Sequence, residues 1–128
     1  YQQRFQPSSR CLKPYSILTM SVFCSETEAQ AQALQLTFDI NFFRFVTGQT
    51  QNSFLTPSEA MLYPINSPLA AFIESRSQNR AVGTPEQVKA VVSQTAANFG
   101  VDEVMAVTNM HYFEDRKRSF ELLKEAFN

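Results

Sequence analysis

The chain has 128 residues, 44% hydrophobic and 18% charged, with eleven basic residues against twelve acidic ones for a formal charge of −1. These are the values of one ordinary globular domain, and they give no electrostatic case for nucleic acid or an anionic membrane as partner. No apolar run approaches the ~18 residues of a membrane-spanning helix and no N-terminal signal pattern is present, so a cytoplasmic location is expected.

Tyr1–Pro7 reads as the last turns of a helix stopped by proline. A chain that starts inside an element is expected to be the C-terminal end of a larger, intracellular α/β protein, without a complete active site of its own. Residues 15–24 follow as a strand. Leu18, Met20, Val22 and Cys24 form an apolar face, and Ile17, Thr19, Ser21 and Phe23 a mixed one. Ser25 with Glu28 three residues on makes a capping box, opening a helix that runs to about Val46, with Gly48 as its stop. Ala29, Ala33, Leu36, Ile40 and Phe43 give that helix one apolar stripe, and Phe38, Phe42 and Phe45 widen it. So broad an aromatic surface is read as packing against a neighbouring element rather than as a ligand site.

Residues 49–66 are rich in Gln, Asn, Ser, Thr and Pro and read as a long loop with one helical turn at Pro57–Leu62. Ser67–Gln78 is a short helix with Leu69, Phe72 and Ile73 inward. The clearest local signal is Thr84-Pro85-Glu86-Gln87, a cap, a first-turn proline and a capping-box Gln. The helix it opens buries Val88, Val91, Val92, Thr95 and Phe99 and ends at Gly100. Its start could attract a phosphate, but Gly83 is the one glycine there and plain capping is favoured. Val101–Thr108 is a second strand, apolar on both faces. Tyr112–Phe127 is the last helix, with Phe113, Phe120, Leu123 and Phe127 inward and Glu114–Arg118 and Lys117–Glu121 paired on its surface.

Strands separated by helical crossovers should be parallel. Two strands do not make a stable sheet, so further strands are expected upstream or on another chain, and the exposed edges should drive self-association.

Chemistry-bearing residues are sparse. His111, the single histidine, follows the end of the second strand, where α/β proteins keep their sites, yet no Ser or Cys can be paired with it. The carboxylates Glu26/Glu28 are explained by capping, and Asp102/Glu103 lie at a strand entrance away from the expected site. Arg116-Lys117-Arg118 is a solvated helix face. Cys11 and Cys24 have neither Cys-x-x-Cys spacing nor a histidine at metal spacing, and a reduced pair is favoured over a Cys11–Cys24 disulfide. No catalytic, cofactor-binding or metal-ligating residue is assigned.

Three stretches nevertheless occur together in a telling order. They are Arg4-Phe5-Gln6-Pro7-Ser8 with Lys13-Pro14-Tyr15 and Ser25-Glu26-Thr27-Glu28-Ala29-Gln30; Val82-Gly83-Thr84-Pro85-Glu86-Gln87-Val88; and Val101-Asp102-Glu103-Val104-Met105 leading to Arg118-Ser119-Phe120-Glu121-Leu122-Leu123. The series resembles the C-terminal part of the bacterial-luciferase-like flavin-dependent monooxygenases. The resemblance implies the last two strand–helix units of a (β/α)8 TIM-type barrel. Residues 1–14 would close the preceding helix and loop, 15–48 would form a strand and helix, 49–80 a variable loop and short helix, and 81–128 a helix, strand and helix. It further implies reduced flavin mononucleotide (FMN) as cofactor of the intact parent, with none held by this chain alone. The family's catalytic histidine and most flavin contacts lie on earlier strands, so none carries over. Ser25, Thr108, Asn109 and His111, at the strand ends, would line a substrate or flavin pocket. Thr19-Met20-Ser21 departs from the family's usual glycine-bearing strand. The rival readings are a small non-catalytic α/β binding or oligomerisation module and a self-standing small enzyme using His111.

Overall fold

A computed structural model gives the fold; it describes residues 1–49 and 53–128. Residues 50–52 of the expected long loop lie outside that description. The eight residues of β1, Ile17–Cys24, alternate β-branched and bulky apolar side chains with small polar ones, the composition of a strand packed on both faces toward its end. Helix α1 follows at Glu28–Val46, then α2 at Pro57–Met61, α3 at Ser67–Ser75, β2 at Arg80–Gly83, α4 at Pro85–Phe99, β3 at Glu103–Val107 and α5 at Phe113–Phe127. The N-terminal segment forms a single 3-10 turn, Gln2–Arg4, in place of the expected last turns of a longer helix.

The three strands are parallel in the order β2-β1-β3. Ser21 faces Arg80 and Cys24 faces Gly83 on one side of β1. Ile17 faces Glu103 and Ser21 faces Val107 on the other. The expectation of two strand–helix units closing a (β/α)8 TIM-type barrel is therefore corrected. In such a barrel successive strands are neighbours; here β2 and β3 flank β1 on opposite sides, and the fold is a small α/β domain with a three-stranded parallel sheet and five α-helices among the described residues. The sequence reading missed β2, whose four residues include an arginine and a glycine and carry no alternation of their own.

The sheet separates two apolar clusters. Met20, Val22 and Cys24 of β1 pack with Ala81, with Val88 and Val92 of α4 and with Leu122 of α5. The next side chain round the strand, Phe23, points the other way and meets Phe38 of α1 at 5.8 Å between ring centres. Beyond it Ile40 of α1, Ala60 of α2 and Leu69 of α3 form the second cluster. Burying a side chain as large as Phe23 removes apolar area from water worth roughly 1.5–3 kcal/mol.

Several predicted faces are rotated in the structure. In α5, Ser119 and Leu122 are buried while Phe113 is 70% exposed and Phe120 and Phe127 are also exposed. The reason is closeness: α5 approaches β1 until the Ser119 hydroxyl accepts the Cys24 N–H at 3.1 Å, a gap that a phenylalanine could not occupy. In α4, Val88 and Val92 are buried, but Val91 and Phe99 are exposed. β3 is an edge strand, and Met105 is half exposed rather than enclosed. Arg118 pairs with Glu26 at 2.6 Å and with Glu121 and Glu125, and the expected Glu114 partnership is absent from these contacts.

The Thr84 capping box forms as read, the Gln87 side chain accepting the Thr84 N–H at 2.9 Å. Gly83, just before it, has φ of +146°, and a Cβ there would meet Gln87 Oε1 at 2.3 Å. Gly83→Ala should therefore cost about 1–3 kcal/mol from backbone strain alone, read as a lower denaturant midpoint at unchanged slope. The same change at Gly48, where nothing lies within 4 Å, meets no such steric block.

Candidate functional site

All three strands point the same way, so their C-terminal ends lie along one edge of the sheet, the edge at which α/β domains bind ligands. Two depressions open there. The larger, about 470 Å3, is lined by Thr37, Phe38, Asn41, Phe42, Phe45 of α1, by Phe54, and by Asn109, Met110 and His111 of the β3–α5 connection. The smaller, about 350 Å3, includes Cys24, Ser25, Glu26 and Gln30 with Tyr112, Asp115 and Arg118.

The four residues expected at the strand ends are thus divided. Asn109 and His111 share the aromatic cavity. Ser25 lines the other depression and is buried, its N–H donating to the Gly83 carbonyl at 3.1 Å and its hydroxyl to Gln30 Oε1 at 3.1 Å. It is not the helix cap: Thr27 caps α1, accepting the Gln30 N–H at 3.2 Å, and Glu28 instead accepts from Gln87 of α4 at 3.0 Å. Thr108 is buried and lines neither depression, and its hydroxyl has no hydrogen-bond partner among the described residues.

The cavity wall is an aromatic ladder set by helical spacing. Phe38 and Phe42, one turn apart, lie nearly parallel with ring centres 5.8 Å apart, and Phe42 and Phe45 continue the row at 6.4 Å. Phe72 of α3 braces Phe42 and Phe43 from behind, as the packing expectation required. Even so, Phe45 stays 57% exposed and Phe54 54% exposed, so the ladder has an open side.

Behind the wall sits a buried charge cluster that the sequence reading missed. Asp39, fully buried in α1, accepts from both terminal guanidinium nitrogens of Arg80 of β2 at 2.6 and 2.9 Å, and from the Gln35 amide as well. Arg76 lies 3.5 Å from the same carboxylate and carries its guanidinium 4.5 Å over the Phe42 ring. A lone aspartate inside the run Phe38-Asp39-Ile40 is the signal that could have found it, because a charge in an apolar stripe needs a partner.

Few polar functions remain for a ligand. Thr37 donates its hydroxyl to the Ala33 carbonyl at 2.7 Å, and Asn41 is spent on both the N–H and the carbonyl of Leu55. The Asn109 amide and the His111 ring nitrogens make no hydrogen bond among the described residues; the His111 ring packs edge-on against Tyr112 at 4.6 Å. No Lys or Arg among the described residues lines the cavity. FMN needs both an apolar slot for its ring system and cations or clustered N–H groups for its phosphate; the cavity meets the first need and not the second. No cluster of metal-binding side chains occurs among the described residues.

Both cysteines are free, Cys11 exposed and Cys24 buried. Burial, with Glu26 and Glu86 nearby, pushes the Cys24 thiol up to about 11, so little thiolate exists near neutrality. Iodoacetamide at pH 8 should label one thiol per native chain and two after unfolding; fast labelling of both in the native protein would contradict the packing around Cys24.

No family model matches the chain. It is 34% identical over 129 residues to the uncharacterized protein YwcH of Bacillus subtilis (strain 168), covering 99% of this chain and 38% of that protein. The uncharacterized protein YceB of the same organism is 29% identical, again over 99% of this chain and 38% of the relative. Among solved structures, the crystal structure of apo-MsnO8 is similar at a TM-score of 0.85 and 32% identity, over 99% of this chain and 39% of that one. The three-stranded α/β arrangement therefore recurs in that structure over nearly the whole of this chain, which spans 38% of the length of the curated relatives it matches. None of these names states an activity.

Proposed function

We propose that the chain belongs to a luciferase-like flavin-dependent oxidoreductase and supplies one wall of its substrate cavity. The observation that carries this reading is the cavity at the C-terminal edge of the sheet, where Asn109 and His111 face an aromatic ladder. Two of the segments behind the resemblance support this reading: Ser25–Gln30 and Val82–Val88 form the β1–α1 and β2–α4 junctions beside that edge. Reduced FMN is the cofactor of the whole protein in this proposal, supplying oxygen activation when bound. This chain's own contribution is confined to enclosing and orienting a substrate and excluding water, since the described residues that line the cavity offer the cofactor's phosphate no cation. The protein acts in the cytoplasm in this reading; no helix among the described residues is long and apolar enough to cross a membrane.

Self-association is part of the proposal. Ile17 at the start of β1, Met105 on β3 opposite Thr19, and Phe113 and Phe127 on α5 are all exposed, and exposed apolar surface of this kind favours association. Light scattering should report a species larger than one chain.

The test uses the protein as its gene encodes it, supplied with chemically reduced FMN and oxygen. The expected result is quenching of FMN fluorescence on binding and a rate of oxygen uptake that depends on the protein. Flavin that oxidises at the buffer rate, with unaltered fluorescence, overturns the proposal. That outcome would leave the alternative, a non-catalytic binding module.

A further inference from the structure

The last helix turns an aromatic stripe outward. Phe113, Phe120 and Phe127 recur every seventh residue of α5, so they share one side of it, and they are 70%, 40% and 49% exposed. The side that meets the sheet carries Ser119 and Leu122 instead. Between the first two rings runs a depression of about 480 Å3, lined by Phe113, Phe120, Arg116, Lys117, Glu121 and Lys124. A grooved aromatic face on the solvent side of a helix is the kind of surface that partners occupy.

The charge of this face runs against that of the chain, which is −1 in total. Arg116, Lys117 and Lys124 form no ion pair among the described residues. The one carboxylate of the depression, Glu121, is already engaged by Arg118 at 3.4 Å. A further cation, Lys89 of α4, lies 5.8 Å over the Phe127 ring. The face is therefore apolar and locally positive, which selects an apolar, negative occupant. A second copy of the chain does not fit. A two-fold contact lays a patch on itself, and antiparallel pairing about Phe120 brings Arg116 toward Lys124, so the proposed self-association falls to Ile17 and Met105 instead. Nucleic acid and lipid fit poorly too. Glu114, Asp115 and Glu125 are interleaved on the same helix and repel an evenly charged anion. A helix is different, because its carboxylates stand at chosen positions while its apolar side chains enter between the rings.

We infer that the outward face of α5 docks an acidic amphipathic helix of another protein, its apolar side chains among Phe113, Phe120 and Phe127 and its carboxylates against Arg116, Lys117 and Lys124. The rings supply the affinity, since buried aromatic anchors carry most of an interface's energy. The cations set orientation and the rate of encounter. The inference goes beyond the oxidoreductase reading and does not depend on it, because this face shares no lining residue with the aromatic cavity.

Fluorescence anisotropy of labelled synthetic peptides, titrated with the protein as its gene encodes it, tests the inference. The first peptide is a three-heptad helix with Leu along one side and Glu flanking the Leu stripe. The second has Lys in place of every Glu, and the third has the composition of the first in scrambled order. Saturable binding of the first is expected, about tenfold or more tighter than the other two and weakening as salt is raised. Lys117→Glu combined with Lys124→Glu should weaken the acidic peptide about tenfold and tighten the basic one. Phe120→Ala should also weaken the acidic peptide about tenfold, the effect of losing an aromatic anchor. Phe113→Ser, at the most exposed of the three rings, gives the same loss if Phe120→Ala fails to fold. No saturable binding, equal binding of the scrambled peptide, or binding that neither the charge reversal nor the ring variants alter, overturns the inference. Tighter binding to phosphatidylserine vesicles or to single-stranded DNA than to the acidic peptide overturns it as well. No flavin enters these titrations, so peptide binding without FMN-dependent oxygen uptake sinks the oxidoreductase reading alone, and uptake without peptide binding sinks this one alone.

Discussion

Asp39→Ala is expected to remove about 3–5 kcal/mol of folding stability, a large share of the 5–15 kcal/mol by which a typical domain is stable. The carboxylate is fully buried and answers Arg80 through two hydrogen bonds. The Arg80 side chain is itself nearly buried, 6% exposed. Removing the acid strands that guanidinium in the interior, where an uncompensated charge is costly. Urea denaturation followed by circular dichroism should show the loss as a lower midpoint. Arg80→Met should also destabilise, though by less, because the carboxylate keeps Arg76 at 3.5 Å and the Gln35 amide. The double variant should lose clearly less than the two single losses together, because the stranded partner is gone. Additive losses would mean that the two side chains do not act on each other. Arg76→Gln is a milder case: its side chain is 28% exposed, so water can partly replace it.

Phe23→Ala should cost a comparable 3–5 kcal/mol, the usual range for emptying an aromatic site in a core. Phe23 is the largest fully buried side chain of the domain. It sits on the face of β1 that meets α1, against Phe38, with the Arg80 guanidinium 6.0 Å from its ring centre. The void would open directly beneath the aromatic ladder. The variant should therefore lose stability and also lose affinity for any ligand of the cavity. A second substitution, Val22→Ala, creates its void on the opposite face, among Met20, Val88 and Leu122. It should destabilise the fold while leaving the cavity's affinity close to that of the parent. If both substitutions weakened ligand binding alike, the ladder would not depend on Phe23.

What could be read from the sequence was whatever depends on neighbours along the chain. The start of α4 is specified within four residues, Thr84 to Gln87, and forms with both capping bonds in place. β1 and β3 carry enough apolar residues to be recognised as strands. What could not be read was set by elements far apart. β2 is a strand because Asn79–Gly83 lies alongside β1, its first carbonyl neighbour, Asn79, accepting the Ser21 N–H at 3.2 Å. The inward face of α5 is chosen by how near the helix comes to Cys24, which puts a serine where periodicity asks for phenylalanine. The topological rule put Asn109 and His111 at the sheet edge, where both line the aromatic cavity. It grouped Ser25 and Thr108 with them because it locates strand ends, not the directions of side chains. The run Phe38, Phe42, Phe45 was visible and was assigned to packing; the rings do pack, and they also present an open side. Phe54 lies in a segment with no periodicity to place it.

The central place of β1 bears on how the protein is made. Its two hydrogen-bonding neighbours both come much later in the chain, Arg80 opposite Ser21 and Glu103 opposite Ile17. Synthesis proceeds at roughly 5–20 residues per second. A nascent chain therefore presents Ile17–Cys24 with two bare edges for several seconds before Arg80–Gly83 has left the ribosome, and longer before Glu103–Val107 follows. Unpaired apolar strands of this kind invite wrong partners, so the newborn segment is a natural client for chaperones that hold extended apolar stretches. Until β2 emerges, α1 to α3 accompany an unpaired β1, the strand on which every sheet contact among the described residues depends.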